Sequence, residues 1–339
     1  MANEALLKRH PESILFEGYL KQRDMGVELF WSSVQKSIAG GPNSPCKSSV
    51  QWTSATDEGC SLYHRYFPTA EILEMVSSPI HHPELYLDFL RRLVPQDKPN
   101  ILIPASATPR TYDMVRWAKP QANVLVTDLC VSPVLALGNI FHDDIREGVL
   151  KSTQLDILRA QYENKFDAIV TDAFITRFVG GKKREVLQIL YKALKPGGVL
   201  LTTVRVPKQD EGEMGQVLEK LSFESGSYPF KVRRAYEELL KKHGKKNSEY
   251  IPYTPEEIEQ DALSYQRSMK SSHGREEEEA FGITLLPQLA ALPGAAAYGQ
   301  ILTLSPERGG IGFIKTEIKK SQPVYDITTR EYLQIAAIK

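Results

Sequence analysis

Five things are scarce in this chain, and each absence narrows the reading. Net charge is zero, with 42 Lys and Arg against 42 Asp and Glu, which argues against a nucleic-acid binder held by bulk positive charge. Cysteine occurs three times, at Cys46, Cys60 and Cys130, with no CxxC pair. An odd, widely spaced set excludes a disulfide framework and suits a reducing compartment, so a cytoplasmic protein is expected. No run of about 18 apolar residues is present, and the N-terminus lacks the apolar core of a signal peptide, so neither a membrane span nor export is expected. His64, near Cys60, and the His81-His82 pair lack the spacing of a ligand set, and no metal site is expected. Glycine, finally, is missing between Gly59 and Gly138, and that gap bears on which nucleotides can bind. What remains is ordinary globular composition, 42% hydrophobic and 25% charged over 339 residues, enough for one large domain or a core with an attachment.

The texture changes along the chain. Residues 1–95 mix helical spacing, as in Pro83 to Leu93, with a Gly/Ser/Pro-rich loop from Ser37 to Ser61. Around that loop cluster Tyr19, Phe30, Trp31, Trp52, Tyr63, Tyr66 and Phe67, a set that suits a helical and aromatic lid over a small organic substrate. Residues 96–206 alternate apolar runs with helices. The runs are Asn100 to Pro104, Asn123 to Asp128, Thr153 to Leu158, Phe166 to Asp172 and Val199 to Val206. Helices are expected at Thr111 to Ala118, Pro133 to Glu147 and Lys182 to Leu194, the last stopped by Lys195-Pro196-Gly197-Gly198. Short apolar strands separated by helices predict a mostly parallel sheet covered on both faces, an α/β Rossmann-like, doubly wound fold. Residues 207–310 break the rhythm with helices at Tyr236 to Lys246, Thr254 to His273 and Arg275 to Leu292, a helical insertion serving as cap or homodimer surface. Thr254 with Glu257 is a capping-box start. Residues 311–339 contain two β-like stretches, Gly312 to Ile318 and Glu331 to Ile338, expected to complete the core sheet as a hairpin.

In such a sheet the ligand lies outside the carboxyl ends of the strands. The candidates are therefore Pro104 to Arg110, Asp128 with Leu129, Asp156 to Leu158, and Asp172 to Phe178. A carboxylate at Asp128 can accept hydrogen bonds from both hydroxyls of a ribose, or it can cap the next helix. The first turn, Pro104-Ala105-Ser106-Ala107-Thr108-Pro109-Arg110, has no glycine for a phosphate cradle, and Pro109 removes an N–H donor. NAD, FAD and ATP are disfavoured there. A nucleoside without phosphate remains compatible, because small Ala and Ser side chains permit close approach.

The order of segments resembles a class I S-adenosylmethionine-dependent methyltransferase. ILIPASATPR stands where that family has its glycine-rich first motif, VLVTD matches the second strand with its ribose-binding acid Asp128, and FDAIVTDAF matches the fourth-strand motif. LKPGGVLL matches the turn into the fifth strand, and GFIKTEI with REYLQIAAIK the terminal antiparallel hairpin. The resemblance covers residues 100–206 and 310–339 and implies a seven-stranded sheet and S-adenosyl-L-methionine as cofactor. It implies that Pro104, Ala105, Ser106, Ala107 and Arg110 border the cofactor, that Asp156, Ile157 and Leu158 face the adenine, and that Asp172, Ala173 and Phe174 lie near the methyl donor.

On that resemblance the reaction is displacement at a sulfonium carbon. The protein's work is to align the nucleophile, exclude water and take a proton. Asp172, Tyr63, His64 and Tyr66 are the candidate helpers; Asp172 can equally be a structural cap for the loop after it. Phe178 and Trp31 are candidate substrate-cavity residues, and Arg177 or Arg110 a partner for a carboxylate on substrate or cofactor. A small-molecule substrate is expected, with no nucleic-acid or membrane partner. Two alternatives stay open: attack at another sulfonium carbon, including cyclisation of the aminobutyrate arm with release of methylthioadenosine, and a non-catalytic relative that has lost the cofactor.

Overall fold

The computed structural model describes residues 66–207 except 68, 72, 74, 77, 83, 107, 179 and 180, together with 228–243, 254–272, 294–308, 310–321 and 329–339. Its centre is one seven-stranded sheet. The strands are β1 (Asn100–Pro104), β2 (Asn123–Asp128), β3 (Leu150–Gln154), β4 (Phe166–Thr171), β5 (Leu194–Pro207), β6 (Lys315–Ser321) and β7 (Thr329–Ile338), in the order β3-β2-β1-β4-β5-β7-β6. The first five run parallel; β7 is antiparallel to both β5 and β6. The chain direction across the sheet reverses between β1 and β4, which makes their carboxyl ends the switch point of a Rossmann-like sheet.

Strand alternation explains why both faces are covered. Ile101, Ile103, Val124, Val126, Ala168, Val170, Val199 and Leu201 point to one face. There they meet Tyr112 and Val115 of α1 (Arg110–Ala118), Ala136 and Leu137 of α2 (Val131–Ile140), and Leu85, Tyr86 and Leu90 of the helical turns Glu84–Phe89 and Leu90–Leu93. The short α3 (His142–Arg146) follows α2. Leu102, Ile169, Leu200, Ile335 and Ala337 point to the other face, against α4 (Gly181–Ala193). Side chains of period two, apolar on both faces, are what a buried parallel sheet requires. The edge strand β6 carries three lysines, all exposed, the usual protection of a sheet edge.

A third core lies apart from the sheet. Tyr66, Phe67, Ala70, Met75 and Val76 pack with Val232 and Tyr236 of α5 (Tyr228–His243) and with Ile258 and Ala262 of α6 (Pro255–Ser272). The segment before the sheet and the first two described helices of the insertion thus share one core. In contrast, Tyr298, Ile301 and Leu302 of α7 (Gly294–Thr303) pack on the second face of the sheet. The capping box is formed: Thr254 N–H donates to Glu257 Oε2 at 2.7 Å and Glu257 N–H to Thr254 Oγ1 at 3.2 Å.

Several boundaries differ from expectation. The third strand is Leu150–Gln154, not Thr153 to Leu158, because Asp156 turns back to accept Leu158 N–H at 3.0 Å and caps the short turn Ile157–Arg159. β5 begins at Leu194, not Val199: pairing jumps from Phe166↔Leu194 to Ala168↔Val199, so Lys195 to Gly198 bulge within the strand. Gly197 has φ of 75°, and a Cβ on Gly198 would sit 2.8 Å from the Lys195 carbonyl, so both glycines serve the bulge. The hairpin strand expected from Gly312 starts at Lys315. The expected helix from Arg275 to Leu292 lies outside the described residues. Among the described residues no helix is long and apolar enough to cross a membrane.

Candidate functional site

Three strand tips define the site. At the end of β1, Ala105 adopts φ of 59°, the left-handed region that a side chain disfavours and glycine enters freely. Its N–H donates to the Thr127 carbonyl on β2 at 2.6 Å. The turn then folds on itself, with Ser106 Oγ donating to the Thr108 carbonyl at 2.8 Å, and Pro109 leads into α1. Ser106, Thr108 and Arg110 are all buried. The turn therefore makes the sharp bend that glycine makes elsewhere, with the Ala105 amide taken by Thr127 and no N–H at Pro109.

Asp128 closes β2 and is buried, with Oδ1 accepting the Cys130 N–H at 2.7 Å. The Asx cap and a strand-tip carboxylate thus coexist in one residue. The Leu129 carbonyl accepts from Gln154 Nε2 at 2.9 Å, tying β3 to the β2 tip. Ile157 is buried in the second core with Leu158 packed against it.

The tip of β4 is the most organised part. Asp172 is half-buried; its Oδ1 accepts from Tyr86 Oη at 2.9 Å and from Thr203 Oγ1 at 2.6 Å. Tyr86 Oη also lies 2.7 Å from the Thr171 carbonyl, and Thr203 Oγ1 accepts the Ala173 N–H at 2.8 Å. Burial, and next the neighbouring Asp172 charge, push the Tyr86 phenol well above its usual range. Ala173 has φ of 48°. Left-handed alanines on both sides of the switch point, each costing about 1–3 kcal/mol, are sustained by this surrounding network.

Residues from before the sheet complete the cluster. Glu71 is buried, 4.0 Å from Arg110 Nε. Burial pushes its carboxyl up to about 7; Arg110, Thr108 and Ser78 oppose the rise and Asp172 adds to it. Neither Glu71 oxygen meets strict hydrogen-bond geometry, yet the Thr108 and Ser78 hydroxyls stand close enough to favour its charged form. His81 Nδ1 accepts the Ser78 N–H at 3.0 Å. Burial, then His82, lowers the His81 imidazole to about 4, against the opposite pull of Asp172. Burial likewise lowers His82 to about 4, where it lies 3.3 Å from Gln334 Nε2 and from Ser321 Oγ on the terminal hairpin.

The expected residues divide accordingly. Asp128, Ala105, Ser106, Arg110, Asp172 and Ala173 stand at the tips of β1, β2 and β4, and Pro104 ends β1 opposite Thr127. Phe174 and Phe178 stack edge to face at 5.0 Å in the second core. Tyr66 lies in the third core, its hydroxyl 2.7 Å from that of Tyr228. Trp31, Tyr63, His64, Ala107 and the Arg177 side chain lie outside the described residues. Glu71, His81, Tyr86 and Thr203 were not anticipated. The one visible signal was Thr202-Thr203, two hydroxyls inside an otherwise apolar strand.

No family model and no curated protein matches the sequence. Solved structures similar to the chain include a proposed O-methyltransferase from Nostoc punctiforme, at 14% identity and TM-score 0.44 over 92% of this chain and 71% of that one. A proposed methyltransferase from Bacillus halodurans shares 13% identity, TM-score 0.35, over 74% and 99%. The cyclase SpnF shares 13% identity, TM-score 0.40, over 94% of each chain. Likeness at this level says nothing of chemistry. The strand order, with the antiparallel β7 lodged between β5 and β6, is that of the class I methyltransferase fold.

Proposed function

We propose that this protein is an S-adenosyl-L-methionine-dependent transferase that methylates a small organic molecule. The observation that carries the reading is the pairing of two strand tips: a carboxylate, Asp128, ends β2 beside a glycine-free β1 turn that bends through left-handed Ala105. A carboxylate there suits a ribose, and a turn without glycine disfavours a phosphate. The ligand that meets both conditions is a nucleoside whose 5′ substituent is not a phosphate. When bound, S-adenosylmethionine supplies a methyl carbon made electrophilic by the adjacent sulfonium. The chain's own part is to hold the ribose on Asp128, to keep Asp172, fixed by Tyr86 and Thr203, facing the methyl end, and to close the switch point with buried residues that precede the sheet, Glu71 and Tyr86 among them.

The test is calorimetric titration with S-adenosylmethionine and S-adenosylhomocysteine, followed by mass spectrometry of turnover mixtures. Binding of both, with loss of about 1–3 kcal/mol in Asp128→Ala, is the expected result. An unchanged dissociation constant in that variant removes the ribose assignment. S-adenosylhomocysteine as product marks methyl transfer, whereas methylthioadenosine marks attack at another sulfonium carbon. No heat and no thermal shift would identify a non-catalytic relative.

A further inference from the structure

We propose that Tyr86 is a positioning residue: with Thr203 it pins one oxygen of Asp172, so that this carboxylate meets the positive sulfonium and distinguishes the charged cofactor from the thioether product, which lacks that charge. The proposal rests on the cofactor reading above. From Phe166 to Thr176, along β4 and into the loop after it, every residue is buried except Asp172. Its two donors are inside the protein, since Tyr86 and Thr203 are both 0% exposed. Both reach the same atom, Oδ1, Tyr86 Oη at 2.9 Å and Thr203 Oγ1 at 2.6 Å. With both donors buried, what Asp172 exposes faces away from them, at the β4 tip.

The donors come from separate elements, and each is directed by other contacts. Thr203 on β5 accepts the Ala173 N–H at 2.8 Å, so its own proton is turned to Asp172. The Tyr86 ring belongs to the first core and is carried by the turn Glu84–Phe89 that precedes the sheet. Its single proton is shared between Asp172 Oδ1 and the Thr171 carbonyl, the latter at 2.7 Å. The two hydroxyls also lie within hydrogen-bond reach of each other. Burial keeps the phenol protonated and therefore a donor. One donor would leave the carboxylate able to swing about that bond; a second, from another element, fixes its plane. Donors aimed at a carboxylate also favour its charged form.

The chemistry of the guest explains why such fixing matters. An ammonium carries N–H donors and can turn a loose carboxylate towards itself. A sulfonium has no N–H or O–H and attracts by charge alone. The orientation of its partner must then be supplied by the protein in advance, and the clasp of Tyr86 and Thr203 supplies it.

Calorimetric titration with S-adenosylmethionine and S-adenosylhomocysteine tests this, since the two ligands differ only by the methyl group and its charge. The quantity read is the ratio of their dissociation constants. Asp172→Asn should cut the preference for S-adenosylmethionine about tenfold, the size of one charge contact at a partly exposed carboxylate. Tyr86→Phe keeps the buried ring; it should cut the preference about threefold or more and leave S-adenosylhomocysteine binding within about threefold. The double variant should cut it no further than Asp172→Asn alone, because Tyr86 acts through Asp172. A Tyr86 that only supports the fold would weaken both ligands alike, or would add its effect to that of Asp172→Asn, and either result overturns the proposal. If Tyr86→Phe does not fold, Thr203→Val, which removes the companion donor, takes its place with the same expectations. Binding of both ligands with a ratio unmoved by Asp172→Asn overturns the clasp alone. Binding of neither removes the cofactor reading and the clasp with it.

Discussion

Glu71 makes a prediction about stability that needs no ligand. Its carboxyl rises from 4.5 to about 7 on folding. Below the lower value both states are protonated and the folded protein suffers no penalty; as pH rises through the higher one, stability is lost. At 1.36 kcal/mol per unit, the loss is about 3 kcal/mol. His81 and His82 act in the opposite sense. Each falls from 6.5 to about 4 on folding, so each contributes stability above the upper value that is lost as pH drops through the lower one, again about 3 kcal/mol apiece. In the wild type these slopes oppose one another between pH 4 and 7. Glu71→Gln removes the one that falls with pH. Urea unfolding at a series of pH values should therefore show the variant gaining about 3 kcal/mol relative to wild type between about pH 4.5 and pH 8. Any constant cost of burying the amide shifts the whole curve and leaves this difference intact. A stability difference independent of pH across that range would refute the burial of Glu71 as an ionisable group.

Ala105→Gly should stabilise the fold by about 1 kcal/mol, since glycine enters the left-handed region without a Cβ penalty; thermal denaturation reads this, and destabilisation would contradict the conformation of φ 59°. Thr203→Val removes the donor to Asp172 and the acceptor for the Ala173 N–H. It should cost about 1–3 kcal/mol in urea unfolding, because a buried N–H is left unpaired, and a cost near zero would show that the β4 tip does not depend on this hydroxyl.

The sheet was legible where strands are buried on both faces. β1, β2 and β4 each carry at least three consecutive apolar side chains, and the Lys-Pro-Gly-Gly turn announced the approach to β5. β3 was misplaced because it is an edge strand in which only Leu150 is buried, so no apolar run marked it. The candidate site divided along the same line. Asp128 and Asp172 were found because strand ends are where ligands sit in open α/β sheets. Glu71, His81 and Tyr86 were not, because they come from a segment outside the sheet whose position is set by packing against Ile103, Tyr112 and the third core, and no spacing rule links it to β4. The left-handed alanines were likewise invisible: sequence shows that glycine is absent but not that the backbone bends regardless.

A structure of the protein crystallised with S-adenosylhomocysteine tests the central claim most directly. The account predicts the ribose hydroxyls on the Asp128 carboxylate, the chain past Ala105 against the nucleoside, and the sulfur turned towards Asp172. A ligand bound elsewhere, or a space between the β1, β2 and β4 tips filled by the protein's own side chains, would contradict it.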